Sequence, residues 1–402
     1  MALARRGDTL MALIFLYIYT LSVQRSMNIA VNTRFLIPGK MEGIGAFTFD
    51  VFSRISAWHP EHQFYFLFDR APSPTWQFGS NVHCIHVPPQ ARHPVLFYLW
   101  FEWSIPLILK RYKIDLFVSP DAFGSLRTSV PTHLTIHDLA FKHLPQGIPK
   151  LHLMHYNYYV ERYAQKANRI ATVSEYSKKD INLQYGIPLD KIDVVWSGAH
   201  SRFRPLDDAL ERAEIQKKYT NGAPYFVYVG SVHPRKNVAK LVEAFDLYKK
   251  RHPSSPMKLV LVGRMAWNFS EVEQVFAKIT CKDDVIRLGY QPEDEVVRLI
   301  GAAYALTYVS IFEGFGLPIH EAFCCHTPAI YSQLTSMPEV GADAGLPVDP
   351  NNVQQIADAM HLLWTDKDLY EVLCQRTIER KSFFSADKTA QLMWQSLLKT
   401  MV

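Results

Sequence analysis

Short runs of apolar, β-branched and aromatic residues recur along the chain, and longer stretches with apolar residues at helical spacing separate them. Such runs predict buried β-strands, and the stretches between them predict helices. In the first half the predicted strands are NIAVNT, FYFLF, LFVSP, HLTIHD, RIATVS and DVVWSG. In the second half they are YFVYVGS, KLVLVG, VIRLG, ALTYVS, PAIYS and AGLPVDP. This alternation is typical of an α/β protein with parallel sheets covered by helices.

The alternation is interrupted at residues 203–224, where a polar helical stretch ends in a turn before a new buried strand. We therefore predict two doubly wound domains, residues 27–205 and 206–385, that face each other across a cleft. Residues 386–402 are predicted to form a helix that packs on either domain. Ligands of such sheets bind at the carboxyl ends of the strands, so we expect the chemistry there.

Two apolar stretches raise the question of a membrane. Residues 1–26 carry a short apolar run behind two arginines. Three interpretations stay open for them: a wrongly assigned start upstream of Met27, which we favour, a short anchor, or a secretory leader. Residues 95–115 are aromatic with a basic end, which fits an interfacial helix. Because a strand follows directly, we expect a covered core helix instead.

Composition narrows the classes of function. The chain has 402 residues, of which 48% are hydrophobic, enough for two cores. Its 43 basic and 38 acidic residues give a formal charge of +5 without long basic runs, so a nucleic-acid-binding arm is not indicated. The five cysteines contain no CxxC pair, which argues against a disulfide framework or zinc site and favours a reducing cytoplasm.

The segment FEGFGLPIHEAF carries two glutamates that one straight helix would not align. We predict that Glu313 ends a strand and that Glu321 lies in the first turn of the following helix. Gly314 and Gly316 allow a tight turn and a close backbone approach, and Pro318 suits a helix start.

The start of this helix is a candidate anion site. The amides of Phe315, Gly316 and Leu317 would present partial positive charge to a phosphate. The two carboxylates would then accept hydrogen bonds from sugar hydroxyls, since direct contact with a diphosphate would be repulsive. The alternative is that Glu321 only complements the helix dipole and that Glu313 is a solvated loop residue.

Two further segments carry weaker signals. After the strand YFVYVGS, Gly230 is followed by Arg235 and Lys236, and adjacent cations suit a diphosphate. The alternative is the solvated start of a helix. After the first strand, EGIGAF contains the pair Gly43 and Gly45, which many loops share.

One histidine lies at a predicted strand end. His137 and Asp138 are the last two residues of the predicted strand HLTIHD. A single histidine is more often structural than catalytic, but its position at the carboxyl end of a strand favours a role in the site.

From Met27 to about Ala386 the chain resembles family 4 retaining glycosyltransferases of the GT-B fold, especially bacterial enzymes of surface-polysaccharide and lipid-linked glycan synthesis. The resemblance rests on GSVHPRKN, VGRM, VIRLGY, YVSIFEGFGLPIHEAF, TPAIYSQLTSMPEVGADAGLPVDP and THLTIHDLAF. It implies two Rossmann-like domains, with the nucleotide sugar held mostly by the second. It also implies a C-terminal helix that crosses back to the first domain.

The resemblance also implies roles for single residues. Glu313 would lie beside the donor sugar, Glu321 would bind the ribose, and Lys236 would bind the diphosphate. Many relatives carry arginine directly after the glycine, where this chain has Ser231. We therefore assign the second cation to Arg235.

Three further positions complete the implied site. His137 matches a histidine near the donor sugar, and Gly43 with Gly45 matches a glycine loop over the phosphates. The base would rest against VGRM, which contains Gly263, and against LGYQPED. An acidic side chain of that second segment would accept from guanine, favouring GDP over UDP and hence a mannose donor.

The implied reaction is the transfer of a sugar, with retained configuration, from a nucleotide-diphosphate sugar to a hydroxyl of a glycan or lipid-linked glycan. We expect no metal, because two cations and the helix amides can stabilise the leaving diphosphate. We expect a cytoplasmic enzyme, at the inner face of the membrane if the acceptor is a lipid. Alternatives are a solute-binding protein without chemistry, or an epimerase or phosphorylase on the same fold.

Overall fold

The computed structural model describes residues 26–39, 43–206, 208–264 and 270–401. The interpretations of the N-terminal run therefore concern residues that lie outside the described chain, apart from its last residue. All twelve predicted strands are present, together with one that was not predicted. The strands are β1 Asn28–Asn32, β2 Gln63–Phe68, β3 Val82–His86, β4 Leu116–Ser119, β5 Thr132–Thr135, β6 Arg169–Thr172, β7 Ile192–Val194, β8 Tyr225–Val229, β9 Lys258–Val262, β10 Val285–Gly289, β11 Ala305–Tyr308, β12 Ala329–Ser332 and β13 Gly345–Val348.

The strands form two sheets, and the described pairings are parallel. The seven-stranded sheet has the order β3-β2-β1-β4-β5-β6-β7, with Ile29 opposite Phe64. The six-stranded sheet has the order β10-β9-β8-β11-β12-β13, with Leu306 opposite Ala329. Most of these strands are buried along their length, which explains why they appear in the sequence as continuous apolar runs. The predicted fold class, α/β with two Rossmann-like parallel sheets, is confirmed.

The strand that was not predicted, β3, lies at the edge of the first sheet. It pairs with β2 alone, with Cys84 opposite Phe66, and its side chains are exposed or half-buried. Because an edge strand need not bury both faces, its sequence VHCIH lacks the apolar run used to find the others.

Helices cover the sheets between the strands. They are α1 Ile44–Trp58, α2 Pro94–Leu99, α3 Ile105–Arg111, α4 Ala140–His143, α5 Lys150–Lys166, α6 Glu175–Tyr185, α7 Ala209–Thr220, α8 Val238–Arg251, α9 Ser270–Lys278, α10 Glu293–Ala302, α11 Leu317–Cys324, α12 Met337–Gly341, α13 Val353–Thr365, α14 Lys367–Lys381 and α15 Ala386–Thr400. A π-helical turn, Trp100–Ser104, joins α2 to α3. Within the described ranges, no helix has the length and apolar character needed to cross a bilayer.

By its contacts the chain divides into two compact units. The first unit runs to Leu134 and includes Lys166–Asn168 and the C-terminal residues from Thr400, and the second comprises Thr135–Gln165 and Arg169–Lys399. The predicted domain limits of 27–205 and 206–385 stay predictions.

The C-terminal helix α15 is anchored to β7 and to the segment after it. The Thr389 hydroxyl donates to the Trp196 carbonyl at 2.7 Å and accepts from the Gly198 amide at 2.9 Å. A Cβ atom on Gly198 would lie 2.2 Å from the backbone of Ser385. Position 198 therefore requires a glycine, because the start of α15 packs directly against its backbone.

Candidate active site

Glycines bring the ends of β8 and β9 together. Gly230 and Gly263 have φ values of 148° and 141°. A Cβ atom on Gly263 would lie 1.8 Å from the Gly230 carbonyl oxygen, so no larger residue fits there. Ser231 follows as an exposed residue whose carbonyl accepts from the Tyr228 hydroxyl at 3.0 Å.

The segment with the two glutamates differs in detail from the prediction. Strand β11 ends at Tyr308, so Glu313 lies in the loop after the strand and does not end it. Glu321 is the fifth residue of α11, in its second turn instead of its first. The strand stops early because its pairing with β12 ends at Tyr308, opposite Tyr331.

Backbone contacts fix this loop. The Ile311 amide donates to the Arg235 carbonyl at 2.9 Å. The Glu313 amide donates to the Thr335 hydroxyl at 3.2 Å, and the Glu313 carbonyl accepts from the Ser336 hydroxyl at 2.9 Å. Glu313 is therefore held at its backbone before any ligand arrives.

The side chain of Glu313 is the centre of a buried ionic cluster. It is 6% exposed, and its carboxylate accepts from Arg235 Nη1 at 2.7 Å and from Lys236 Nζ at 2.6 Å. The Tyr308 hydroxyl donates to the same carboxylate at 3.0 Å and accepts from Lys236. Two cations of one loop and one anion of another thus share a site that the sequence described as two separate features.

The charges of the cluster stabilise one another. Burial opposes ionisation of Glu313, but Lys236 and Arg235 outweigh it and lower the pKa of the carboxyl to about 2. Burial would lower the pKa of Arg235, but Glu313 and Asp138 raise it instead. Burial lowers the pKa of Lys236 against the attraction of Glu313. Glu313 and Arg235 are therefore both ionised near neutral pH, and they stabilise each other's charge.

Gly314 and Gly316 are needed for different reasons. A Cβ atom on Gly314 would lie 2.4 Å from the His137 carbonyl oxygen and 2.9 Å from Asp138 Cβ, so this glycine permits a close approach. Gly316 has a φ of 96°, in the left-handed region, and forms the N-cap of α11. The expected turn and close backbone approach are both present.

The approach at Gly314 places His137 and Asp138 beside the loop that carries Glu313. His137 is half-buried, and its carbonyl accepts from the Ser177 hydroxyl at 3.2 Å. The Asp138 carboxylate accepts from the Ala140 amide at 2.9 Å and contributes to raising the pKa of Arg235. Asp138, to which the sequence assigned no role, is therefore part of the electrostatic environment of the cluster.

The start of α11 leaves backbone donors available. Among the described residues, the amides of Phe315, Gly316 and Leu317 make no hydrogen bond. The first amides of a helix lack intrahelical partners and carry partial positive charge. An anionic group at this helix start would satisfy them.

Among the described residues, no cation contacts the carboxyl group of Glu321. In the described part of the chain its carboxylate forms no hydrogen bond or ion pair. Burial and the nearby Glu293 raise its pKa to about 8, although Lys236 opposes them. Such a group can accept hydrogen bonds from a ligand that brings its own donors.

The two acidic side chains considered for base recognition lie at the start of α10. Glu293 pairs with Arg202 at 2.8 Å, and Asp294 is 92% exposed. Neither is buried, so the guanine contact stays a prediction.

A mostly apolar cavity of about 260 Å³ lies at the ends of β9 and β10, lined in part by Gly263 and Gly289. On one side Arg287 stacks 4.5 Å from the Phe276 ring centre and pairs with Glu273 at 2.7 Å. The sequence predicted the nucleotide base against these strand ends, and that placement stays a prediction.

The glycine pair of the first unit has a separate local role. Gly43 is the N-cap of α1 with a φ of 50°, and Gly45 is buried in the first turn. The three residues before Gly43 lie outside the described ranges, so the predicted phosphate loop stays a prediction.

Several residues that build the site were missed. Tyr308 lies in the predicted buried strand ALTYVS and was given no role in the site. Thr335 and Ser336 lie in the motif TPAIYSQLTSMPEVGADAGLPVDP and were given no separate role either. Asn237 has a φ of 58° and donates to the carbonyls of Val309 and Pro350 at 3.1 and 2.6 Å. The one local signal in the sequence was the residue type, because asparagine tolerates a positive φ better than most residues.

The sequence of the chain is similar to those of known glycosyltransferases. The family model described as "Glycosyl transferases group 1" matches residues 211–380, and the one described as "Glycosyltransferase Family 4" matches residues 51–201. The O-antigen chain mannosyltransferase B of Escherichia coli is 31% identical over 69% of this chain and 72% of that protein. The O-antigen chain mannosyltransferase RfbU of Salmonella typhimurium is 25% identical over 66% of this chain and 73% of that protein.

Solved structures show the same fold. The sucrose-phosphate synthase of Thermosynechococcus elongatus superposes with a TM-score of 0.74, covering 92% of this chain and 98% of that chain at 18% identity. At this identity the likeness shows the fold alone.

Proposed function

The chain belongs to the group 1, family 4 glycosyltransferases of GT-B fold, and from this premise we propose that it is a retaining mannosyltransferase. Its donor is GDP-mannose, and its acceptor is a hydroxyl of a glycan or lipid-linked glycan in surface-polysaccharide synthesis. We choose mannose because two relatives of the chain are O-antigen chain mannosyltransferases.

The observation that carries the proposal is the ionic cluster at the start of α11. Glu313 holds Lys236 and Arg235 beside a helix start whose amides are available. When the bond between sugar and diphosphate breaks, negative charge grows on the leaving phosphate. Preorganised cations and amides stabilise that charge more than they stabilise the ground state.

We infer retention from the family to which the chain belongs, and the carboxylates limit how retention can occur. Glu313 is buried and bound by two cations, so it is a poor nucleophile for a covalent sugar intermediate. We assign it to orienting a donor-sugar hydroxyl, together with His137. Departure and attack on one face of the sugar let the leaving phosphate accept the acceptor proton.

We propose that Arg235, Lys236 and the amides at the start of α11 stabilise the charge of the leaving diphosphate. We therefore expect turnover without added metal. We also assign the enzyme to the cytoplasm, where nucleotide sugars are made, and to the inner face of the membrane when the acceptor is lipid-linked.

Calorimetric titration of the full chain with GDP, UDP, GDP-mannose, UDP-glucose and UDP-N-acetylglucosamine tests the donor. We expect GDP and GDP-mannose to bind at least tenfold more tightly than the uridine series. A preference for uridine nucleotides would contradict the mannose donor and leave the glycosyltransferase assignment intact. Release of an altered nucleotide sugar without any acceptor would instead indicate an epimerase.

Proton release tests the assignment of Glu321 to the ribose. With a pKa of about 8, this carboxyl is mostly protonated in the free protein at pH 7. Ribose hydroxyls donate to the ionised form, so binding should lower the pKa and release close to one proton. GDP-mannose has no phosphate that titrates near pH 7, so calorimetry in two buffers of different ionisation enthalpy measures the release directly.

The matched variant is Glu321→Gln, which keeps the shape and removes the titration. We expect it to release no proton on binding GDP-mannose. Its affinity should also change little between pH 6 and 8, whereas the affinity of the unmodified protein should rise with pH as Glu321 ionises. Equal proton release from both proteins would remove Glu321 from the ribose site.

A further inference from the structure

A face of the first unit carries large apolar side chains in contact with solvent. Among the described residues of that unit, six large hydrophobic side chains are exposed, and five of them lie between residues 95 and 107. They are Val95, Tyr98, Leu99, Trp103 and Leu107, with exposures of 58%, 38%, 39%, 50% and 67%. We call these five side chains the apolar face.

The local helix geometry keeps the apolar face on one side. Val95, Leu99, Trp103 and Leu107 are spaced by four residues, and in an ideal α-helix three such steps drift by about 120°. The π-helical turn at 100–104 is wider than an α-helical turn and takes up part of this drift. The opposite side packs inward, where Trp100 donates to the Val87 carbonyl at 2.7 Å. The predicted core helix is therefore covered on one side only.

The exposed charged side chains of residues 92–115 are all basic. Lys110, Arg111 and Lys113 are exposed at its C-terminal end. The exposed Arg127 places its guanidinium 3.9 Å from the Trp103 ring centre.

The carboxylate of this segment points away from the apolar face. Glu102 is 3% exposed, and both of its carboxylate oxygens accept from the Leu126 amide at 3.1 and 3.0 Å. Turning the acidic group inward leaves the exposed surface apolar at the centre and basic at the rim.

We propose that the apolar face docks on an anionic phospholipid bilayer. Aliphatic side chains and a tryptophan favour the acyl-chain boundary, and lysine and arginine at the rim favour anionic headgroups. This combination fits a lipid surface better than a protein partner, because protein interfaces are depleted of lysine. The inference is independent of the sugar chemistry, so its failure leaves the proposed function standing.

Vesicle flotation of the full chain gives the first test. We expect binding to vesicles of phosphatidylcholine with about one third phosphatidylglycerol, and much weaker binding to phosphatidylcholine alone. The double variant Trp103→Ser, Leu107→Ser should lower the partition coefficient at least tenfold. Lys110→Glu with Arg111→Glu should lower binding to the anionic vesicles and leave the weak neutral binding unchanged.

The matched control is Trp58→Ser. Trp58 is 41% exposed in the same unit, at the end of α1 and outside the apolar face. We expect this variant to bind vesicles as the unmodified protein does. Equal binding by the Trp103, Leu107 double variant and the unmodified protein would overturn the proposal.

A local probe separates the apolar face from any other lipid-binding part of the chain. Cys84 is exposed and is first replaced by Ser. An environment-sensitive fluorophore is then attached at Leu107→Cys or, as the control, at Trp58→Cys. We expect anionic vesicles to shift the emission to the blue at position 107 and not at position 58.

Each other result of this probe contradicts the proposal. No shift at position 107 would mean that the apolar face stays in water. A blue emission without vesicles that grows with protein concentration would identify a second copy as the occupant. A blue emission without vesicles that does not depend on protein concentration would show that another segment of the same chain covers the apolar face.

Discussion

Glu313→Gln is expected to lower turnover by roughly 10²–10³-fold while free GDP binds as well as before or more tightly. The carboxylate is assigned to the donor sugar, so its loss should appear in kcat. In the free protein the same carboxylate binds Lys236 and Arg235. Without its charge both cations are released from a competing anion and become more available to a diphosphate. Steady-state kinetics and calorimetry on the same preparation measure the two effects.

The stability of this variant gives an independent check. Removing one charge from a buried ionic cluster costs about 3–5 kcal/mol. The folded-state pKa of Glu313 is lowered to about 2, so its contribution is present above the ordinary pKa of 4.5 and is lost as the pH falls towards 2. The gap in unfolding free energy between the variant and the unmodified protein should therefore be large at pH 7 and should fall steadily as the pH is lowered from 4.5 towards 2.

The control for Glu313→Gln is Glu243→Gln, the same change at a surface pair. Glu243 is 39% exposed and lies 3.2 Å from Lys240. We expect no change in turnover and little change in stability, because surface pairs contribute about 0–1 kcal/mol. If Glu313→Gln weakened GDP binding as much as it lowered turnover, Glu313 would belong to the nucleotide site and not to the sugar site.

The fold was predictable because buried parallel strands leave a strong local signal. Runs such as YFVYV, and LVLV within KLVLV, are continuously apolar because both faces of the sheet are covered by helices. The edge strand VHCIH lacked that signal because its side chains are partly exposed.

The parts of the site were predictable, but their assembly was not. Glu313 and Lys236 were each recognised from their own segments, one for a sugar and one for a diphosphate. Their ion pair joins residues 77 positions apart, and no local pattern records such a contact. Tyr308 was missed for a related reason. It ends a buried strand, and no local pattern indicates that its hydroxyl donates to Glu313.

Lys236→Ala is expected to weaken GDP and GDP-mannose binding alike, by roughly 10–100-fold. A hydrogen bond to a charged group contributes about 1.5–3 kcal/mol, and about 1.4 kcal/mol corresponds to a tenfold change. Guanosine lacks the phosphates, so its affinity should not change. Calorimetric titration with the nucleoside, the diphosphate and the nucleotide sugar measures the three affinities.

Lys240→Ala, in the helix that follows Lys236, is the matched control, since Lys240 is 39% exposed and pairs with Glu243. It should bind all three ligands as the unmodified protein does. In Lys236→Ala the Glu313 carboxylate keeps Arg235 at 2.7 Å, so the buried anion stays paired and the fold should persist. Unchanged GDP affinity in a folded Lys236→Ala protein would remove this lysine from the phosphate site. The diphosphate would then rest on Arg235 and the amides at the start of α11.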